Sequence, residues 1–405
     1  MKLETTLKKF NSLRGSKYFG NLRASFKFTD EPKFYQFSCI SEDLEVESSA
    51  LDINETKAKV RSLSEYLERF CLNNISKKMY FERYLDISDN SLNPSRLLNF
   101  REEDMRMNIK EYSDKINSTK IHWVKGRDES SLKEIFVPAQ QIYVTDFFEE
   151  PLIRPRISTG AATHNSHLEA INNGIMENIE RDSFMINYLS KNKIPRIKLD
   201  GKLMQIENYF SRYLLELNIF ETTTDLEIPS FMCLNFDRTS LGPSVSVGLK
   251  AGLNPKSAIT GAIMESQQVR QWMRFLYYKD NPKVPSEKRE IIEAKDRGLF
   301  WYGIDKIKNL DYMANNPKLK NINEIKTPKI SKEDLVHYLK DKKIDTYSVD
   351  ISHKKIRESG FHVVKVVQPQ LHPLFLDERF PCFYSERLDK HLKNKKVNYF
   401  PHPFI

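Results

Sequence analysis

The chain has 405 residues, enough for one large domain or two ordinary ones around a sizeable buried core. With 40% apolar and 29% charged residues it reads as a folded globular protein, and no apolar run approaches the ~18 residues a membrane-spanning helix requires. The net charge of +9 admits an anionic partner, but the basic runs are short and lack arginine–aromatic interleaving, which argues against nucleic acid.

The opening MKLETTLKKF has no apolar segment of secretory type. Cys39, Cys71, Cys233 and Cys382 lie far apart with no C-x-x-C pair, so neither a disulfide framework nor a zinc ribbon is expected. Reduced thiols and a cytoplasmic protein follow as the expectation.

Residues 17–50 alternate polar and apolar side chains and predict two or three strands. Residues 56–73 predict a helix with Val60, Leu63, Leu67 and Phe70 on one face. Strand-like stretches follow at 120–124 and 135–144, then a helix over about 166–190. Residues 228–237 and 244–253 look like paired strands. Asn254 and Pro255 then open a helix to about 278, with Asn as the cap and Pro at the first helical position. Charged helical material is expected over 285–345, and residues 360–370 read as a buried strand ending at a proline. The fold class is mixed α/β. No Rossmann or P-loop glycine pattern is present, so any nucleotide would bind without either cradle.

Three of these helices carry carboxylates in unusual density. The first holds Glu65, Glu68 and Arg69, spaced E-x-x-E-R, and the second repeats that spacing as Glu177, Glu180 and Arg181, with Glu169 one turn into the helix. At ~100° per residue, Ile171, Ile175, Ile179 and Ile186 share the core face with Leu168, while the three glutamates gather on the flank and back. Carboxylates three or four residues apart repel, by a few tenths of a kcal/mol per pair. A hard divalent cation removes that penalty, and Mg²⁺ is usually held by carboxylates together with phosphate oxygens. Bland readings compete: Ser166 and Glu169 fit a capping box, and Arg61 and Arg69 are i, i+4 partners for Glu65. In the third helix Glu265 falls on the apolar seam of Ala258, Ala262, Val269, Trp272 and Leu276, with Gln268 beside it. A carboxylate there needs a partner, either a metal or a salt bridge with Arg270 or Arg274.

Taken in order, SEYLER (64–69), HNSHLEAINNGIMENIERD (164–182) and SAITGAIMESQQVR (257–270) resemble the YcaO family of ATP-dependent enzymes that modify peptide backbones, and GFHVVKVVQPQLHPL (360–374) is similar to its late strand. The resemblance implies a YcaO-type fold of sheets and carboxylate-bearing helices around an ATP site. By position Glu65, Glu68, Glu169, Glu177 and Glu180 would hold Mg²⁺, while Arg61, Asn165, Arg181, Glu265 and Gln268 would complete the nucleotide site. The chain departs from the family's frequent Gly-Lys-Gly before the first helix, reading SSALDIN (48–54). Arg61 also stands where many members have Ser or Thr.

The ending NYFPHPFI is similar to the P-x-P-x-P tail of azoline-forming cyclodehydratases of microcin type, with Ile405 in place of the last proline. This implies a catalytic domain over 1–390 and an extended tail over 391–405 reaching the active site. His402 and Pro403 are its catalytic candidates, with His402 as a candidate base. In such enzymes a Cys, Ser or Thr side chain of a precursor peptide attacks the preceding carbonyl, and the γ-phosphoryl of ATP converts the resulting oxygen into a leaving group. The sequence enters the catalytic-type region directly, so the resemblance implies a separate leader-peptide-binding partner related to E1-like proteins, often a flavin-dependent azoline dehydrogenase, and leaves a homodimer open. The alternatives are the thioamide-forming branch of the family and a non-catalytic scaffold that docks peptide partners.

Overall fold

The computed structural model describes residues 3–43, 45–105, 108–316 and 318–405. Helix α1 (Leu3–Phe10) leads into an antiparallel meander of β1 (Asn21–Ala24), β2 (Tyr35–Ile40) and β3 (Glu47–Asp52). Helix α2 (Glu55–Asn73) starts where Asn54 accepts a hydrogen bond from Lys57 N, and it buries Leu63, Tyr66, Leu67 and Phe70. Strands β4 (Met79–Arg83), β5 (Lys120–Asp128), β6 (Glu134–Pro138) and β7 (Ala161–His164) open a second sheet, with α3 (Ile109–Ser118) inserted after β4.

Helix α4 (His167–Leu189) comes next, followed by β8 (Arg196–Lys198), α5 (Gly201–Ser211), β9 (Leu215–Glu221), β10 (Ser230–Asp237), β11 (Val245–Ala251) and α6 (Pro255–Asp280). After α7 (Ala294–Phe300), β12 (Leu319–Asn321) pairs in parallel with β8, so that the third sheet runs β11-β10-β9-β8-β12. Helix α8 (Leu335–Asp341) precedes β13 (Tyr347–Asp350) and β14 (His362–Val367), which return to the second sheet and set its order as β4-β5-β13-β14-β7, with β6 on β5. Helix α9 (Glu386–Leu392) precedes the final segment.

Two consequences position the site. Strands β7 and β11 are the outer edges of their sheets, and α4 packs against both. Its first half seals one cluster with β14 through Ala170, Ile171, Ile175, Ile179, Val364 and Val366. Its second half is buried all round, including Glu180, Arg181 and Asp182, because the last residues of the chain lie over it. The glutamate-bearing back of this helix is therefore not the open surface that a stripe of isoleucines suggests.

Helix α6 approaches β11 closely. A Cβ on Gly248 would lie 2.0 Å from Ala262 O and 2.4 Å from Ser266 N, so only glycine permits this contact. The apolar seam expected on α6 holds through Ala258 and Ala262 but fails beyond Val269, since Trp272 is 37% exposed. The face buried there is polar instead. Arg270 and Arg274 are held by Glu31, with Asp237 and Asp30 completing the cluster, and Gln267 donates to Glu31. The stretch 285–345 also departs from a continuous helical reading, because it contains short helical turns, α7, α8 and strand β12. Among the described residues no helix is long and apolar enough to cross a membrane, and all four cysteines are buried free thiols.

Candidate functional site

The two E-x-x-E-R motifs and Glu265 meet around the facing edges of β7 and β11. Each edge strand, or the residue leading into it, offers backbone N–H groups that no neighbouring strand takes, and glutamates accept them. Thr163 N donates to Glu68 (2.7 Å) and Gly160 N donates to Glu177 (3.0 Å) on one side. On the other, Ala251 N donates to Glu180 (2.8 Å) and Leu249 N to Glu265. Four of the predicted glutamates are thus fixed by main-chain donors that no pattern of side chains reveals.

Arg181 joins the groups. Its Nη1 donates to Glu180 (2.6 Å), and its Nη2 lies 3.4 Å from Glu177 and 3.7 Å from Glu265. Lys250 Nζ approaches Glu180 at 3.4 Å. Burial, then the repulsion of Glu65 and Glu177, holds the Glu68 carboxyl well above its ordinary range. Burial also pushes Glu265 up to about 7, with Arg181 opposing and Glu180 reinforcing the shift.

The remaining predicted residues are placed as follows. Glu65 pairs with Arg69 at 2.7 Å, and Arg61 turns to Leu51 O and Asp52 rather than to Glu65. Gln268 spans β3, donating to Ser49 O and accepting from Leu51 N. Asn165 donates to Thr6, within hydrogen-bond reach of α1. Ser166 caps α4 by accepting from Glu169 N, yet the Glu169 carboxylate turns outward to Lys332 at 2.7 Å, which leaves the capping box half formed. Glu265 is not paired with Arg270 or Arg274, which belong to the Glu31 cluster.

The tail does run along α4. Tyr188 and the Trp301 indole both donate to Pro401 O, and Asn398 N donates to Leu189 O. Pro403 is buried, and the Phe404 ring lies 4.1 Å from the Arg181 guanidinium carbon. His402 is enclosed by Phe184, Tyr188 and Phe375, with its Nε2 bonded to Phe375 O at 2.7 Å. Burial holds its imidazole well below the ordinary histidine range, so it is a neutral anchor of the tail in this structure. Asp182, immediately after the motif, is a residue the pattern did not single out. Fully buried, it accepts from Arg387 at 2.8 Å and 3.0 Å and from His372 N at 2.7 Å, and thereby fixes the end of α4 to α9.

Residues 52–372 match the family model described as YcaO cyclodehydratase, ATP- and Mg²⁺-binding. The chain belongs to the YcaO family. Among curated relatives, an uncharacterised protein of Methanothermobacter thermautotrophicus is 21% identical over 80% of both chains. An uncharacterised protein of the tfuA 3′ region of Rhizobium leguminosarum bv. trifolii is 27% identical over 30% of each. Solved structures share the fold: a heterocyclase in complex with substrate and cofactor (TM-score 0.80, 19% identity, 100% of this chain and 57% of that one) and YcaO from Methanopyrus kandleri bound with AMPPCP and Mg²⁺ (0.67, 16%, 92% and 91%). The E. coli microcin synthetase McbBCD complex with pro-MccB17 also shares it (0.64, 18%, 86% and 87%). The chain spans about a third of the first curated relative and little more than half of the heterocyclase.

The glutamates expected as ligands offer only oxygen, the chemistry a hard cation such as Mg²⁺ selects, and hydrogen bonds to ligating carboxylates are a usual part of such sites. The mutual repulsion of Glu65, Glu68 and Glu177 is the feature a dication would relieve. Among the described residues no group of three or more His, Cys, Asp or Glu is gathered tightly enough to hold a metal ion. The glutamate oxygens are engaged by backbone N–H groups, Arg181 and Lys332 instead.

Proposed function

We propose that this chain is an ATP- and Mg²⁺-dependent cyclodehydratase that converts Cys, Ser or Thr of a ribosomally made precursor peptide into a thiazoline or oxazoline. The observation that carries the reading is the arrangement around Arg181: glutamates fixed on two facing sheet edges on one side, and the proline-bearing tail on the other through Phe404. Bound Mg-ATP would supply the phosphoryl group that makes the peptide oxygen a leaving group.

Glu65, Glu68, Glu177 and Glu180 are the proposed metal-side carboxylates, while Glu169, paired with Lys332 here, is included on the resemblance alone. Arg181 neutralises phosphate charge at a site already preorganised by its carboxylates. Arg61 and Gln268 tie α2 and α6 to β3, Glu265 ties α6 to β11, Asn165 ties the entry of α4 to α1, and together they hold the walls of the proposed nucleotide site. His402 and Pro403 orient the tail, and the buried neutral imidazole favours anchoring over base catalysis. A leader-peptide-binding partner and the precursor itself complete the system, in keeping with the McbBCD likeness.

The test is calorimetric titration of ATP with and without Mg²⁺ on wild type and on Glu180→Gln, followed by mass spectrometry of a candidate precursor with its partner. Magnesium-dependent binding lost in the variant, and loss of water from the peptide, is the expected result. A folded wild type that binds no Mg-ATP even with partner present overturns the reading.

A further inference from the structure

Behind the carboxylates, on the β14 side of α4, lies a cavity of ≈ 40 Å³ lined by Gln141, Arg154, Asn178, Arg181, Lys365 and His372 among others. That volume accommodates a few waters or one small ion. Its walls carry positive charge without matching negative charge. Lys365 is 3% exposed, and its ammonium donates only to the carbonyls of Ile157 and Thr159. Arg154 donates to two amide oxygens, of Gln141 and Asn99. Among the described residues neither forms an ion pair, and each raises the cost of the other's charge. Burial depresses both, Lys365 to about 7 and Arg154 to about 10, although the nearby Glu177 favours the lysine's charged form. Buried cations are ordinarily paired.

The same cavity collects donors that have nothing to bond. Among the described residues Gln141 Nε2 and Arg181 Nε are buried donors without a partner. Two orphaned donors and two cations outside any ion pair constitute an anion site by charge and by hydrogen bonding. The loop that shapes it is rigidly held. Gln140 bonds both Pro151 O and Ile153 N, while Lys365 and Glu177 hold the segment at Thr159 and Gly160.

We infer that this cavity binds inorganic phosphate, receiving the tetrahedral oxyanion after it leaves the carboxylate gap past Arg181, which borders both compartments. The identity of the anion rests on the proposed reaction, whereas the anion site itself rests on the unpaired groups alone. A dianion matches the two uncompensated cations, and the two orphaned donors supply further contacts.

The experiment is titration of inorganic phosphate, without ATP or Mg²⁺, into wild type, Gln141→Glu and Lys365→Met, with circular dichroism to verify folding. Gln141→Glu keeps the acceptor that Arg154 uses and replaces the orphaned amide donor with a carboxylate, placing a negative charge in the cavity. Saturable binding by wild type, weakened at least ~tenfold in both variants, supports the site. Absence of binding by folded wild type, binding unchanged in Gln141→Glu, or preference for acetate over phosphate overturns it. Glu180→Gln separates the two readings, because it should lose Mg-ATP yet still bind phosphate. If wild type fails to bind Mg-ATP but binds phosphate in a Gln141-dependent way, the reaction falls and the anion site stands.

Discussion

Asp182→Asn is the most incisive single perturbation of the scaffold, because it changes one charge and almost no volume. The native carboxylate is fully buried, receives Nε and Nη2 of Arg387, and shares that arginine with Asp225. In the variant the new amide donor faces the Arg387 Nη2 donor, and a buried guanidinium loses half of its compensation. Breaking a buried pair on one side costs ~3–5 kcal/mol, and the surviving Asp225 contact argues for the lower end, ~3 kcal/mol. At ~2.1 cal/mol/K per residue, 405 residues give an unfolding entropy of ~0.85 kcal/mol/K, so Tm should fall by ~3.5 °C. Asp225→Asn removes the partner whose side chain is 57% exposed, where a pair contributes ~0–1 kcal/mol, and should lower Tm by ~1 °C or less. The assay is thermal unfolding of both variants followed by circular dichroism under matched conditions. An Asp225→Asn shift equal to or larger than that of Asp182→Asn would refute the claim that the buried acid organises this junction.

Glu68→Gln should raise Tm above pH 7, since the native carboxyl is held above its ordinary range and its ionisation works against folding, while magnesium-dependent ATP binding should be lost; a joint melt and titration checks both. Lys365 has a folded pKa of about 7, below its ordinary 10.5. The unfolded chain therefore binds more protons between those values and stability should climb with pH through that window. Lys365→Met should flatten this slope in urea melts taken at successive pH values, and an unchanged slope would count against the lysine as its source. Gly248→Ala should cost ~2 kcal/mol or more in urea unfolding, because its methyl meets Ala262 O. Gly252→Ala, whose nearest neighbour would be Ala258 Cβ at 3.9 Å, should be nearly neutral in the same assay.

Elements with a strong period and a cap were legible in the sequence. Asn54, Ser166 and Asn254 each cap the helix expected to follow them, and the strands at 228–237 and 244–253 do pair. The second half of α6 misled, because the sequence offered Arg270 and Arg274 only as partners for Glu265 and cannot anticipate that Glu31 folds over them from more than two hundred residues away. Strand β12 is three residues long and pairs in parallel across a long connection, so it carries no local signal. At the site, the glutamates were visible as a spacing, but their holders were not. The donors are backbone N–H groups of Gly160, Thr163, Leu249 and Ala251, whose availability depends on which strands end up outermost. The cationic cavity was equally hidden, since Gln141, Arg154 and Lys365 converge from three distant segments.

The contacts made by those four N–H groups have a consequence for how the protein behaves in bulk. A sheet edge with free donors is a template on which another chain can add a strand, and natural proteins commonly block it with charge. Here Glu68 and Glu177 close one edge, and Glu180 and Glu265 the other. Replacing any of them by alanine would unseal a sticky edge as well as remove a carboxylate of the proposed site, so a variant recovered in inclusion bodies would say nothing about chemistry. Glutamine, which keeps an acceptor for the strand while discarding the charge, is the substitution that separates solubility from catalysis. Under the proposed function, drift at these positions is constrained twice, once by the nucleotide and once by self-association. A copy of the chain that had lost its activity would still be under pressure to keep acceptors there.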